Sequence, residues 1–223
     1  IENAKPDFIF HLAAQALVKE SYDDPINTWE TNVIGTVNVL NSLRDLKKKC
    51  VAIMITSDKC YDNVEWIWGY RETDKLGGPD PYSASKGGAE LAIQSFYRSY
   101  FRESKTIKVA SVRAGNVIGG GDWSVDRIIP DCVKAWANNE EVLLRNPFST
   151  RPWQHVLDPL SGYIKLAYDL SNNNSLNGES FNFGPPPNQN FNVMELVNEM
   201  SAHWDKVSWK DISEKNSGPY ESG

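Results

Sequence analysis

Cysteine is scarce in these 223 residues: only Cys50, Cys60 and Cys132 occur, with no CxxC pair and no Cys/His ligand spacing. That excludes a disulfide framework and a structural zinc site, so no metal is expected, and reduced thiols fit a cytoplasmic protein. Long apolar runs are lacking too. The longest is broken by His11 and Gln15 and ends at Lys19, too short to span a bilayer. Basic charge is in deficit, since Lys+Arg 23 against Asp+Glu 29 leaves −6 and a pI near 5.2. A general nucleic-acid binder carries a basic field, so neither nucleic acid nor membrane is an expected partner. What the chain does have is aromatics: eight Trp, nine Tyr and eight Phe. With a mean hydropathy of −0.48, they describe a polar surface over an aromatic-rich interior rather than a disordered chain.

The order of segments is informative. Asp7 to Ala14 reads as a short buried strand running into a small-residue turn. From Pro25 a helical pattern sets Trp29, Val33, Val37 and Leu40 on one face and extends through Leu43 and Leu46. The run Val51 to Ile55 has no polar position, as expected of a strand buried on both faces. A polar, aromatic loop follows from Ser57 to Asp80, then a helix from Pro81 to about Arg102 and a strand from Thr106 to Arg113. Strand, helix, strand, helix, strand with connections this long predicts right-handed crossovers and a parallel sheet.

After Gly115 the texture changes. Gly119-Gly120-Gly121 breaks the chain, and helices near 128–138, 159–170 and 193–204 alternate with short strands near 142–144 and 180–183. Pro185-Pro186-Pro187 is a stiff connector. The expected organisation is therefore a doubly wound α/β lobe over 1–115 and a smaller mixed α/β lobe over 116–223. One part of a dinucleotide fold is lacking, because no GxGxxG or GxxGxxG precedes Asp7. At ~30 residues per βαβ unit, roughly 60 to 80 residues are expected upstream. The start at Ile1 rather than Met fits a fragment.

Tyr82-Ser83-Ala84-Ser85-Lys86 sets a phenol and an ammonium four residues apart, on one helix face. A Tyr pKa is about 10, whereas a base working at neutral pH needs one nearer 7; a neighbouring cation moves the phenol in that direction. Such a pair suits proton removal from a sugar hydroxyl as hydride leaves its carbon. The plain alternative is a surface Tyr/Lys pair. Against it stands Thr56-Ser57-Asp58-Lys59, at the carboxyl end of a parallel strand, where ligands of open α/β sheets bind. Ser57 can hydrogen-bond either Tyr82 or the hydroxyl being oxidised. Asp58 supplies a carboxyl group there and Lys59 an amine.

Five motifs, in order, resemble those of the extended short-chain dehydrogenases/reductases acting on nucleotide sugars. They are His11 to Ala14, Thr31 to Thr36, Thr56 to Asp58, Tyr82 to Lys86 and Arg113 to Gly119. Thr56 to Asn63, Glu65 to Glu72, Gly119 to Trp123 and Arg151 to Val156 are similar, more narrowly, to the branch that dehydrates the sugar. The resemblance runs from Pro6 to about Glu221, with both ends cut relative to that branch.

The resemblance implies a Rossmann-type fold lacking its first βαβ units, NAD as cofactor and CDP-glucose as substrate. It implies C4 oxidation, elimination of water across C5 and C6, and hydride return to C6, in a homodimer or higher homo-oligomer. By the same resemblance Tyr82 is the C4-hydroxyl base, Lys86 its electrostatic partner and ribose ligand, Ser57 a proton-sharing hydroxyl and Asp58 the acid for the C6 hydroxyl. Lys59 replaces a Glu that removes the C5 proton in related dehydratases. It acts either as a neutral base or as a cation beside the enolate. Ala13, Ala14 and Asn32 match cofactor-lining positions, and Asn116, Arg127, Arg151 and Asn182 match substrate-lining ones. Arg151 suits a diphosphate, because a guanidinium fork fits phosphate oxygens. A 4-epimerase or reductase of the same fold would need Tyr82 and Lys86 but not Asp58. A non-catalytic dinucleotide-binding fragment would have no need of Tyr82, Lys86, Ser57 and Asp58 together. Without a Gly-rich turn the segment alone is expected to be inactive and its longer parent active.

Overall fold

The computed structural model describes residues 1–186, 189, 191–205 and 207–213. Pro187 of the proline connector and the end of the resemblance lie outside the described residues. In chain order the first half forms β1 (Phe8–His11), α1 (Val18–Asp23), α2 (Pro25–Trp29), α3 (Gly35–Arg44), β2 (Cys50–Ile55), α4 (Pro81–Phe96) and β3 (Ile107–Ala114). The second half forms β4 (Val117–Ile118), α5 (Ile128–Ala137), β5 (Val142–Leu144), β6 (Thr150–Arg151), β7 (Gln154–His155), α6 (Leu157–Asn172), β8 (Ser180–Phe183), β9 (Phe191–Asn192), α7 (Val193–Ser201) and β10 (Trp209–Asp211). The helix expected from Pro25 is α2 and α3 joined by a π-turn, Glu30–Ile34. Another π-turn, Tyr97–Phe101, extends α4.

The main sheet has the order β1-β2-β3-β8, with every pairing parallel. Side chains alternate across it with period two. Cys50, Ala52 and Met54 of β2 join Leu40 and Leu43 of α3 and Ile93 of α4 in one cluster. Val51 and Ile53 join Tyr163, Leu166 and Leu170 of α6 in another. Helices therefore cover both faces, and the fold is a doubly wound parallel α/β sheet. That is why β2 tolerates no polar residue.

The chain divides into two compact units, 1–115 with 157–183, and 116–156 with 184–223. The division at Gly115 is the boundary read from the sequence, which gave 116–223 mostly to the second lobe; 157–183 returns to the first. The apolar face of α6 packs on β2 and β3, and β8 extends the main sheet beside β3. Both belong to the first unit for that reason. In the second unit α5, α7 and the parallel pair β5–β10 enclose Cys132, Trp136, Val142, Leu144 and Val197. Asn192 and Glu195 form a capping box that starts α7. Among the described residues no helix is long and apolar enough to cross a membrane, and no group of side chains is arranged to hold a metal ion. Cys50, Cys60 and Cys132 are buried free thiols.

Candidate active site

Strand β2 ends at Ile55, and Thr56 to Lys59 turn away at its carboxyl end. Ser57 is extended and caps a 3-10 turn, Asp58–Cys60, by accepting from the Lys59 amide at 3.2 Å. Its hydroxyl donates to Asp58 Oδ1 at 3.0 Å. Ser57 is buried, whereas Asp58 and Lys59 are half-buried. The turn thus carries a carboxyl group and an amine at the end of the sheet.

Helix α4 supplies the other half. Asp80 caps it, accepting from the Ser83 amide at 2.9 Å and the Ser83 hydroxyl at 2.6 Å, and Pro81 occupies the first turn. Tyr82 follows at once, its amide donating to Ser21 Oγ of α1 at 3.2 Å. Tyr82 and Lys86 are both buried, at 8% and 5% exposure. The Lys86 ammonium stands 5.9 Å from the centre of the Tyr82 ring. Burial lowers its pKa to about 8, while Cys60 and Glu90 pull the other way. Among the described residues Lys86 makes no hydrogen bond or ion pair.

Two glycines let α4 pack closely on two sides, Gly87 against the turn and Gly88 against α2 and the π-turn that follows it. A Cβ on Gly87 would meet the Cys60 carbonyl oxygen at 3.3 Å and the Gly77 backbone at 3.4 Å. On Gly88 it would meet Trp29 and Val33 at 3.1 Å. Asp58–Cys60 is thereby seated directly against the helix that carries Tyr82 and Lys86.

Beside the segment after β1, Asn32 directs its amide inward. Its Oδ1 accepts from the Gln15 amide at 2.9 Å, and its Nδ2 donates to Gln15 O at 3.0 Å and Ser85 Oγ at 2.8 Å. Asn32 therefore fixes the segment after β1, which carries the exposed Ala13 and half-buried Ala14, to α4. His11, at the end of β1, has its pKa lowered by burial and by Lys86.

Sequence reasoning missed the polar core beneath these groups. Glu90 and Arg113 form a fully buried ion pair at 2.7 Å. Glu90 also accepts from Thr56 Oγ1 at 2.5 Å and Ser111 Oγ at 2.9 Å. Arg113 Nη1 donates to Tyr61 OH at 2.7 Å and Glu72 O at 3.0 Å. Tyr61 OH donates in turn to Asn182 Oδ1 at 2.7 Å, and Asn182 Nδ2 donates to Tyr70 O at 2.9 Å. Asn182, matched by sequence to a substrate-lining position, thus spends its amide anchoring the loop after β2. The signal available was spacing: Glu90 lies four residues beyond Lys86 on the same helix face, and Arg113 ends a strand whose Ile107 and Val109 face α4.

Asn116, Arg127 and Arg151 lie in the second unit. The Asn116 carbonyl accepts from the Gln154 amide at 2.9 Å. Arg127 precedes α5 and stands 3.8 Å from Asp122. Arg151 pairs with Phe191 across β6 and β9, and its Nη1 donates to Thr150 O at 2.7 Å.

The model of the GDP-mannose 4,6 dehydratase family matches residues 1–218. The chain is 50% identical over 214 residues to a CDP-glucose 4,6-dehydratase from Salmonella typhimurium, covering 94% of this chain and 60% of that protein. It superposes on the X-ray structure of Pal from Bacillus thuringiensis with a TM-score of 0.80 at 25% identity, over 95% of this chain and 64% of that one. A crystal structure of DesIV, a dTDP-glucose 4,6-dehydratase from Streptomyces venezuelae with NAD and DAU bound, matches with a TM-score of 0.75 at 22% identity, covering 97% and 64%. The chain thus spans about three fifths of the length of the Salmonella protein.

Proposed function

The chain belongs to the GDP-mannose 4,6 dehydratase family, and on that premise we propose that the native protein carrying it is an NAD-dependent CDP-glucose 4,6-dehydratase. The observation that carries this reading is Lys86, a buried ammonium beside Tyr82 with no partner among the described residues. A desolvated cation calls for oxygen ligands. The ribose hydroxyls at the nicotinamide end of NAD supply such oxygens, so the residues present fit that group. Lys86 and Tyr82 would hold it, with Ala13 and Ala14 lining the pocket that Asn32 keeps in shape. Bound there, NAD would supply the hydride acceptor for oxidation at C4 and the hydride donor for reduction at C6.

The chain's own groups carry the proton chemistry. Tyr82 removes the proton of the C4 hydroxyl, and the Lys86 charge lowers the cost of the phenolate. Ser57 shares the hydrogen bond. Asp58 protonates the C6 hydroxyl, which leaves as water. Lys59 serves C5 either as the neutral base that takes its proton or as a cation beside the developing enolate, another group then taking that proton. Arg151 is assigned to the nucleotide diphosphate, since a guanidinium fork matches phosphate oxygens, and Asn116 and Arg127 to the lining of the substrate. Cytidine as the base rests on the likeness to the Salmonella enzyme.

Self-association belongs to the same proposal. Its support is the exposed apolar face of Ile26, Trp29 and Ile34. A cytoplasmic setting is supported by the three unpaired thiols.

Incubation of the native protein with CDP-glucose and NAD tests the reading. Mass spectrometry should find a product lighter than the substrate by one water. A product of unchanged mass would point instead to a 4-epimerase, and no product would remove the assignment.

A further inference from the structure

The turn that carries Asp58 and Lys59 is held at both of its ends, and the two holding groups are bonded to each other. Before the turn, Thr56 Oγ1 donates to Glu90 Oε1. After it, Tyr61 OH accepts from Arg113 Nη1. Glu90 and Arg113 close the circuit as a fully buried pair. Glu90 stands one helical turn beyond Lys86, so the circuit ties the Asp58–Cys60 turn to the helix that carries the oxidation residues.

Tyr61 is the member placed nearest the turn. It follows Cys60 directly, its amide donates to Asp58 O at 3.4 Å, and its backbone bridges Leu76 on the returning strand of the loop. Its ring stacks on Tyr70 at 5.1 Å and lies under Arg113 at 5.0 Å. Burial keeps its hydroxyl protonated, so it donates to Asn182 while accepting from Arg113. Loss of that hydroxyl takes a partner from the buried Arg113 guanidinium, whereas the exposed Asn182 can turn to water.

We infer that Tyr61 is a positioning residue for water elimination, holding Asp58 and Lys59 in register with Tyr82 and Lys86 through the buried Glu90–Arg113 pair. The inference rests on the dehydratase reading for the step it serves. Its geometric core, the restraint of the turn, is independent of any substrate. Ser57 precedes the turn and Glu90 reaches Lys86 only through its charge, whereas Tyr61 holds the far end of the turn beyond Asp58 and Lys59, so cutting the circuit at Tyr61 falls mainly on water loss.

Tyr61→Phe in the native protein is the test, because it keeps the stacked ring and removes only the hydroxyl. Hydrogen exchange without substrate should find the amides of Lys59, Cys60 and Tyr61 exchanging about five- to tenfold faster, with the amides of α4 unchanged. With CDP-glucose, rapid-quench mass spectrometry should find ketone formation at C4 within about twofold of the parent. Water loss should be about tenfold or more slower, as a small misplacement of a reacting group produces. Asn182→Ala, which relaxes Tyr61 from its other side, should move both readouts the same way and serves if Tyr61→Phe does not fold. Parent-like exchange in the turn would overturn the inference whether or not the protein acts on CDP-glucose. Equal slowing of both half-reactions would also overturn it, since that is the mark of general loosening. If the parent shows no dehydration while the turn loosens as expected, the dehydratase reading fails and the restraint stands.

Discussion

The Lys86 ammonium lies 5.9 Å from the centre of the Tyr82 ring and has no hydrogen bond or ion pair among the described residues. Burial holds its pKa at about 8, against 10.5 for an ordinary lysine. The cation is present at pH 7 and lost as the pH rises through about 8. C4 oxidation should therefore decline over that range, and the decline should disappear in Lys86→Met, whose oxidation falls about 10²-fold or more. NMR titration of the labelled lysine checks the assignment. The stability sign is opposite. Below about 8 the folded protein carries the full burial cost of the charge, and between about 8 and 10.5 that cost is relieved, so this residue's contribution to stability improves with rising pH in that window.

Tyr82→Phe removes the phenol and keeps the ring. The fold should be retained, and no CDP-4-ketoglucose or later product should form in a rapid-quench experiment. Undiminished ketone formation would mean that another group takes the C4 proton.

Lys59 separates two chemistries. As a base it is functionally replaceable by a carboxylate, so Lys59→Glu retains solvent-deuterium exchange at C5. As a cation it is better replaced by Lys59→Arg, and the glutamate variant loses exchange. Exchange at C5 measured in both variants distinguishes them.

The Glu90–Arg113 pair makes a prediction about stability. Glu90→Gln leaves Arg113 as a buried, uncompensated charge, a change that costs about 3–5 kcal/mol. Chemical denaturation should find a loss of that order. A loss below about 1 kcal/mol would mean that water or a relaxed geometry compensates Arg113.

Much of this was legible in local pattern. Val51 to Ile55 announces a strand covered on both sides, and the Tyr82/Lys86 spacing places both groups on one helix face. Short elements were not legible. Helix α1 has no side-chain cap at Leu17, and β4, β6, β7 and β9 are two residues long, so periodicity has nothing to act on. The return of α6 and β8 to the first unit depends on pairing Ser111 with Ser180, a long-range contact without a local signature. Glu90 and Arg113 were invisible as a site because charged residues are usually solvated. Their burial becomes favourable only when Thr56, Ser111 and Tyr61 converge on them. Asn182 shows the converse: a motif position assigned to substrate has its amide bonded to Tyr61 and Tyr70.

Asp58 tests the dehydratase reading most directly. Oxidation at C4 needs Tyr82 and Lys86, whereas hydroxide leaves C6 poorly unless it is protonated, and general acid assistance is typically worth about 10²- to 10⁴-fold. The measurement is rapid-quench mass spectrometry of Asp58→Asn in the native protein with CDP-glucose. A stalled CDP-4-ketoglucose that retains its C6 hydroxyl should accumulate, with water loss slowed by about that factor. Formation of the 6-deoxy product at the parent rate would contradict the dehydratase reading.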